Sequence, residues 1–364
     1  MTAKNSPECR VLILTTWADD GHWYFLNRLR ELGLAVDLLE PWLLRSPKAP
    51  AWLKRLSRRL CFLYQPVLAL ARGKKYQALV TWNTRTGMVQ GLVSRLLPKN
   101  RRSAHILRDF HLDLTRLADP VYMLRILLVR LAVPGIEAFL TTSREEVGLY
   151  ASMFAIPPDR ILFLPDTAGG KFMTPRQYPE EAYVFAYGNS DRDFDTLLAA
   201  APAISGPVTI LSQKWRPSVP LPANVTVITR HLPQEELIER IAQARVVVIP
   251  IKSHHVAAGQ NAMLEVMCLS RPLVVTSNMT TLEHAQDGRE ALFHPPGDAV
   301  ALAKAVNRLI EDQPLARTLG QNARRAALAF PERQVEIFLE VLKRLQPRNV
   351  TCQGQGAVAF EKHT

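Results

Sequence analysis

The feature that most limits the fold is a series of twelve short β-type runs that alternate with longer helical stretches from end to end. In the first half these are Arg10–Leu14, Ala35–Leu39, Ala78–Thr81, Ala104–Arg108, Ala138–Thr141 and Ile161–Phe163. In the second half they are Tyr183–Ala186, Val208–Leu211, Val225–Ile228, Val246–Ile249, Leu273–Thr276 and Ala291–Phe293. Several are continuous and β-branched, Val246-Val247-Val248-Ile249 above all. A strand apolar on both faces must be covered on both, which is the pattern of a parallel sheet between helical layers. Two successive βαβ series imply an α/β chain of two doubly wound, Rossmann-like parallel sheets facing a central cleft.

At 364 residues the chain has room for two domains, each able to bury its own core. The Gly-, Pro- and polar-rich stretch Pro165–Pro179 marks the boundary, giving domains over 1–170 and 171–330. Asp298 can cap a helix over Ala299–Glu311, Pro314 can open one over Leu315–Ala329, and Pro331 closes it. A last helix over 331–347 is expected to pack back on the N-terminal domain, and 348–364 reads as a disordered tail. Cys9, Cys61, Cys268 and Cys352 have neither CxxC nor metal-ligand spacing, which suits reduced thiols and a cytoplasmic location. The apolar run Val11–Leu14 is too short for a signal peptide. No stretch reaches the roughly 18 apolar residues of a membrane span.

Charge is unevenly placed. The formal net charge is +12, and between Glu40 and Asp109 there are fifteen Lys and Arg and no acid. Within that stretch, Trp52, Leu53, Leu56, Leu60 and Leu63 share one arc of a helix at about 100° per residue, with Lys54, Arg55, Arg58 and Arg59 outside it. Such a helix suits an anionic membrane interface. A helix packed on the sheet with a basic outer face has the same pattern. Zinc, helix-turn-helix and RNP motifs are missing, so the basic excess does not point to nucleic acid.

Chemistry concentrates in Pro250–Glu283. A buried strand ends at Pro250, a loop carries His254, His255 and Gly259, and a helix beginning near Asn261 carries Glu265 one turn in. A helix N-terminus offers unpaired N–H groups and partial positive charge to a diphosphate. Gly259 allows close backbone approach, and a carboxylate on that helix can accept from two ribose hydroxyls. An ordinary surface glutamate and a turn glycine would carry the same letters.

The run GQNAMLEVMCLSRPLVVTSN, then TTLEHAQDGREALFHPPGDAVALAKAVNRLIED, then LARTLGQNARRAAL resembles the family 4 retaining glycosyltransferases, which have the two-Rossmann-domain (GT-B) fold. With TTSREEVGLYASMFAIPPDRILFLPD upstream, the resemblance covers most of residues 140–330. It implies a hexosyltransferase-type enzyme that moves a sugar from a UDP- or GDP-sugar to a glycan or lipid-linked acceptor. Retention, no metal and no other cofactor are expected, with a peripheral place at the inner membrane face in polysaccharide or glycolipid synthesis. A non-catalytic nucleotide-sugar or glycan-binding relative is the alternative.

The resemblance also assigns residues. Glu265 corresponds to the ribose-binding glutamate, with Gly259, Gln260, Asn261 and Glu283 on the donor side. The family's second glutamate, which touches the donor sugar, is replaced by Ala257. In the Gly-Asn-Ser-Asp-Arg-Asp segment, Gly188 and Arg192 take the place of the family's phosphate-neutralising element, and Lys214 is a further cation. His111 is the sugar-contacting histidine, with His105 inside the preceding strand as the other candidate. Asp109, Gly21 and His22 lie on the acceptor side. Asp191, Asp193 and Asp195 form two Asp-x-Asp patterns that could chelate a metal, but a helix capped by Ser190 with acids in its first turn accounts for them.

Overall fold

A computed structural model describes residues 9–72, 75–98, 101–113, 116–174, 176 and 178–345. The expected tail after Pro347 lies outside them. All twelve β-runs are strands. The first six, β1 (Arg10–Leu14), β2 (Ala35–Leu39), β3 (Ala78–Thr81), β4 (Ala104–Arg108), β5 (Ala138–Thr141) and β6 (Ile161–Phe163), form a sheet in the order β2-β1-β3-β4-β5-β6. The other six, β7 (Glu181–Tyr187), β8 (Val208–Leu211), β9 (Val225–Ile228), β10 (Ala244–Ile249), β11 (Leu273–Thr276) and β12 (Leu292–His294), are ordered β12-β11-β10-β7-β8-β9. The described strand pairs are parallel. Strand order reverses between β1 and β3 in one sheet and between β7 and β10 in the other. Those two switch points are where open α/β sheets bind ligands, at the carboxyl ends of the strands.

The second sheet shows why the β-branched runs had to be central. Val247 and Ile249 of β10 pack with Phe185 and Val275 on one face, while Val246 and Val248 pack with Val184, Ala186 and Val274 on the other. Both sets are buried under helices: α8 (Gln234–Gln243) and α9 (Gln260–Cys268) on the first face, α7 (Phe194–Ala200) and α10 (Ala299–Glu311) on the second. Asp298 caps α10 as expected, accepting from the Ala301 amide at 2.8 Å.

In the first sheet α1 (Tyr24–Glu31) joins β1 to β2. Helices α2 (Ala51–Ala71) and α3 (Thr84–Ser94), which lead to β3 and β4, pack against each other, as right-handed crossovers in this strand order require. α4 (Pro120–Ala132) and α5 (Arg144–Phe154) follow β4 and β5. None of the described helices is long and apolar enough to cross a membrane.

One expectation fails. Pro331 does not close a helix; α11 runs unbroken over Gln313–Leu345. Proline removes one ladder hydrogen bond and crowds the preceding turn, but burial holds the helix on both sides of it. Leu319, Ala323 and Ala327 are buried before it, and Val335, Phe338, Val341 and Leu342 after it. The start is fixed by Asp312, which accepts from the Leu315 amide at 2.9 Å.

The chain divides into two compact units. One holds the described residues up to Phe110, Leu127–Leu140 and those from Val335; the other holds His111–Ile126 and Thr141–Gln334. In the first, Phe338 of α11 meets Phe25 of α1 edge-on at 5.1 Å.

Candidate functional site

At the switch point of the second sheet, the loops leaving β7 and β10 bring four of the anticipated residues together. Gly188 follows β7 with φ +127°, and a Cβ there would sit 2.5 Å from Arg192 Nε. The absent side chain lets the Arg192 guanidinium fold back over its own loop, where Nε donates to the Tyr187 carbonyl at 3.0 Å and Nη1 to the Ser190 carbonyl at 2.9 Å. Gly259 precedes α9 with φ +88°, a region most residues avoid. A Cβ there would lie 2.3 Å from Ile251 Cδ1, so any other residue must push that side-chain tip aside, and the left-handed backbone itself favours glycine independently of any ligand's approach. No side chain caps α9, so its first-turn amides keep the character of an anion site. Gln260 is partly buried and Asn261 exposed at that end.

Glu265 projects one turn further along α9, and its partner is a residue that the sequence did not single out. The Tyr187 hydroxyl donates to Glu265 Oε2 at 2.7 Å and lies 3.0 Å from the Ala262 carbonyl. Burial raises the Glu265 carboxyl to about 7, while the Tyr187 hydrogen bond and the Arg192 charge pull it back down. Burial likewise pushes the Tyr187 phenol well up, reinforced by the neighbouring carboxylate, and lowers the Arg192 guanidinium. The signal for Tyr187 was its position, a polar-tipped aromatic closing an otherwise apolar strand.

The aspartates have structural partners. Asp193, and not Ser190, caps α7, accepting from the Thr196 amide at 3.1 Å. Ser190 lies too far upstream because Asp191 takes a left-handed turn, φ +51°, before the helix begins. Asp191 accepts from the Ser253 amide at 3.1 Å, tying the β7 loop to the β10 loop. Asp195 accepts from Trp215 Nε1 at 3.0 Å. Lys214 is exposed on the loop after β8, where Asn189 holds its amide at 3.3 Å. Glu283 sits in a short 3-10 turn, Thr281–Glu283, and pairs with Arg144, whose amide donates to it at 2.7 Å. Glu145, His254 and His255 form one trio whose ligand atoms lie within 4.8 Å of one another; Glu145 and His255 are exposed.

His111, also in the second unit, contacts Glu146 of α5. Its Nδ1 lies 2.8 Å from Oε1 of Glu146, which is fully buried. Glu146 also accepts from Tyr150 at 2.9 Å and from the Thr142 amide at 3.0 Å, and closes a capping box with Ser143 at the start of α5. The box has the Ser-x-x-Glu spacing, and orienting His111 is a second use of the same carboxylate. His105 has a different fate. It is buried, with Nε2 2.9 Å from the Thr81 hydroxyl, and burial lowers it to about 3.

In the first unit, the loop after β1 carries Gly21, at φ +84°, and His22, both exposed. The Gly21 amide donates to Asp19 at 3.2 Å and the His22 amide to Asp20 at 3.1 Å. Beside it opens a groove lined by Asp19, Asp20, Gly21, Arg30, Leu38, Glu40 and Arg45. Trp17 and Trp23 of the same loop stack edge-on with Trp82 after β3, at 6.1 and 4.6 Å. Asp109, at φ +55°, pairs with Arg108, whose guanidinium lies 4.3 Å over the Trp82 ring.

This architecture, two six-stranded parallel sheets with flanking helices, is the two-Rossmann-domain (GT-B) fold. Residues 191–312 match the family model described as glycosyl transferases group 1. The chain is similar to a solved sucrose-phosphate synthase from Thermosynechococcus elongatus, with a TM-score of 0.67 and 18% identity over 93% of this chain and 99% of that one. It is similar to Anabaena HepE in complex with UDP, with a TM-score of 0.63 and 11% identity over 92% and 100%. Among curated proteins, an exopolysaccharide phosphotransferase of Streptomyces coelicolor is 29% identical over 121 residues, 31% of this chain. EpsD of Bacillus subtilis is 34% identical over 84 residues, 23% of this chain. The chain spans 12% and 22% of the lengths of those two relatives.

Proposed function

We propose that this protein transfers a sugar from a UDP- or GDP-sugar to a glycan or lipid-linked acceptor, with retention and without a resident metal. The observation that carries the reading is the Tyr187–Glu265 pair beside Arg192 and the uncapped N-terminus of α9, at the switch point of the second sheet. Anabaena HepE, of the same fold, has been seen with UDP and with UDP-glucose.

The chemistry follows from where charge must go. The bond from the sugar's anomeric carbon to the phosphate oxygen breaks, and a bond to the acceptor oxygen forms on the same face. The leaving nucleotide gains negative charge, and fixed positive charge or oriented amides lower that barrier. The α9 amides and Arg192 supply both. Glu265, as carboxylate, accepts from the ribose hydroxyls and sets the register of the nucleotide. His111, oriented by Glu146, serves the sugar. Lys214, Gln260 and Asn261 flank the phosphates, and Asp109, Gly21 and His22 serve the acceptor. The departing phosphate oxygen takes the acceptor proton, so no enzyme nucleophile is required. Asp191, Asp193 and Asp195 are used in loop and helix contacts, which favours an enzyme without a metal.

A thermal-shift screen with UDP-, GDP- and ADP-sugars tests the donor. Stabilisation by one nucleotide class, lost in Glu265→Ala at unchanged fold, supports the reading; no shift with any donor refutes it. Donor binding with no turnover would favour the non-catalytic alternative, which the alanine at position 257 motivates.

A further inference from the structure

Helix α2 is turned the opposite way from a helix that packs its apolar arc on a sheet. Its inward side is Ser57, Cys61, Gln65 and Ala69, one small or polar residue every turn. Gln65 fixes that orientation, its Nε2 donating to the carbonyls of Thr15 at 2.9 Å and Leu39 at 2.8 Å, at the ends of β1 and β2. The apolar stripe therefore faces out. Trp52 is 65% exposed and Val67 58%, with Leu56, Leu60 and Leu63 between them. At about 100° per residue these five fall within an arc of about 80°. Arg55 and Arg59, both exposed, flank one edge of it.

Helix α4 repeats the theme. Tyr122, Ile126, Val129 and Ala132 are buried, yet Val121 is 75% exposed and Leu124 56%, with Leu127, Leu128 and Leu131 also exposed. Its charged residues are Arg125 and Arg130, both basic, so its exposed side is apolar with a cation beside it, which suits a membrane interface. Its last turn is anchored on α3: Arg95 donates to the Leu131 carbonyl at 2.6 Å, and Gly91 lies under the Ala132 carbonyl. Since α2 packs on α3 too, α2 and the end of α4 lie on one side of the first sheet.

We infer that this side of the protein, the outward stripe of α2 with Leu127, Leu128 and Leu131 of α4, docks on the interfacial zone of an anionic bilayer. Scattered exposed leucines are ordinary, but a contiguous stripe this large on a monomer marks an interaction surface. Charge decides the occupant. The stripe sits in the stretch with fifteen Lys and Arg and no acid. A second copy on a two-fold axis would set Arg55 and Arg59 against their own symmetry mates, since such an interface pairs one patch with itself. An anionic leaflet attracts each of them. The docking surface stands without the sugar-transfer reading; only its purpose, bringing the site to a lipid-linked acceptor, rests on that reading.

The test is co-sedimentation of the full chain with vesicles of phosphatidylcholine alone and of phosphatidylcholine with phosphatidylglycerol. Binding to the anionic vesicles is expected, much weaker to neutral ones and falling with salt. Leu56→Glu with Leu60→Glu should weaken it more than about tenfold, and each of Arg55→Gln and Arg59→Gln about fivefold. The variants should keep the wild-type melting midpoint, because the changed side chains are exposed. Leu127→Glu with Leu128→Glu checks the second helix independently. A UDP thermal shift run on the same variants should not change, so failure to bind donor and failure to bind lipid are separate results. The inference is overturned if the wild type stays in the supernatant with anionic vesicles at low salt, or if the glutamate variants bind as well as wild type. It is equally overturned if sedimentation equilibrium shows a dimer that the glutamate variants dissociate and vesicles are not bound.

Discussion

Replacing Tyr187 by Phe should make donor binding strongly pH-dependent near neutrality. The substitution deletes one oxygen, the donor to Glu265 Oε2 at 2.7 Å, and leaves the ring stacked on Phe185. A hydrogen bond to a charged group contributes about 1.5–3 kcal/mol, and one pKa unit corresponds to about 1.4 kcal/mol. Loss of the bond therefore lifts the Glu265 carboxyl from about 7 to roughly 8–9. The groups acting on that carboxyl are few: Tyr187 from β7, Arg192 from the following loop and Cys268 on α9 itself. Arg192 opposes the rise but is unchanged by the substitution.

Only the ionised carboxylate accepts from both ribose hydroxyls. In the wild type about half the molecules are ready at pH 7, so UDP affinity should climb through neutrality and level off above it. In Tyr187→Phe the ready fraction at pH 7 drops to about one in ten to one in a hundred, a loss of about 5- to 50-fold in affinity. By pH 9 the gap should close to about twofold or less. Isothermal titration with UDP across this range reads both the affinity and the proton released on binding. Superimposable pH profiles for the two proteins, or a flat wild-type profile between pH 6 and 8, would refute the coupling of Tyr187 to Glu265.

Four further outcomes follow. Because the folded-state pKa of Glu265 is raised from 4.5 to about 7, the native state holds a proton that the unfolded chain releases, and stability is lost as pH rises through that window. Glu265→Gln should therefore stabilise the protein by about 3 kcal/mol at pH 8 and little at pH 4, by denaturant titration, while removing donor binding. The buried histidines act with the opposite sign. Burial lowers His105 to about 3 and also lowers His284 and His294, so their contribution is complete above the unfolded value and is lost as pH falls below it. Acidifying to pH 5 should cost about 2 kcal/mol for His105 alone, and His105→Asn should flatten the melting profile between pH 7 and 5. Gly259→Ala should destabilise by about 1–2 kcal/mol in denaturant, from the left-handed backbone, with the Ile251 side-chain tip moving aside. Turnover should persist in EDTA; if it stops and Glu145→Gln stops it too, the trio with His254 and His255 holds a required ion.

The strands were legible because each is set by a local demand: a β-branched run buried on both faces tolerates few other folds. Pro331 was misread because its local cost is real but small beside the burial of Val335, Phe338, Val341 and Leu342 beyond it. Ser190 and Asp193 were both plausible caps, and only the turn at Asp191 separates them. Tyr187 and Glu146 were missed for a common reason. Each lies 35 or more residues from the partner it orients, and periodicity carries no information at that range.

Helix α2 shows where such reading stops in principle. Its apolar arc of Trp and Leu was plain from the spacing, but spacing is silent on which side of a helix meets the protein. Two arrangements satisfy the pattern: arc inward with arginines out, or arc outward with something else beneath. What decides is Gln65, whose amide reaches the Thr15 and Leu39 carbonyls at the ends of β1 and β2. Rotating the helix to bury Leu56 and Leu60 would swing Gln65 off those carbonyls; Leu39 keeps the Thr15 amide at 3.2 Å, while the Thr15 carbonyl loses this donor, at about 1–3 kcal/mol for a buried group left unpaired. Ser57, Cys61 and Ala69 are small enough for α2 to sit close on its neighbours in the chosen orientation, which larger inward side chains would prevent. One glutamine thus sets the facing of a whole stripe, and Gln65→Leu should loosen α2 and the presentation of the stripe together, seen as faster amide exchange along α2 and weaker sedimentation with anionic vesicles.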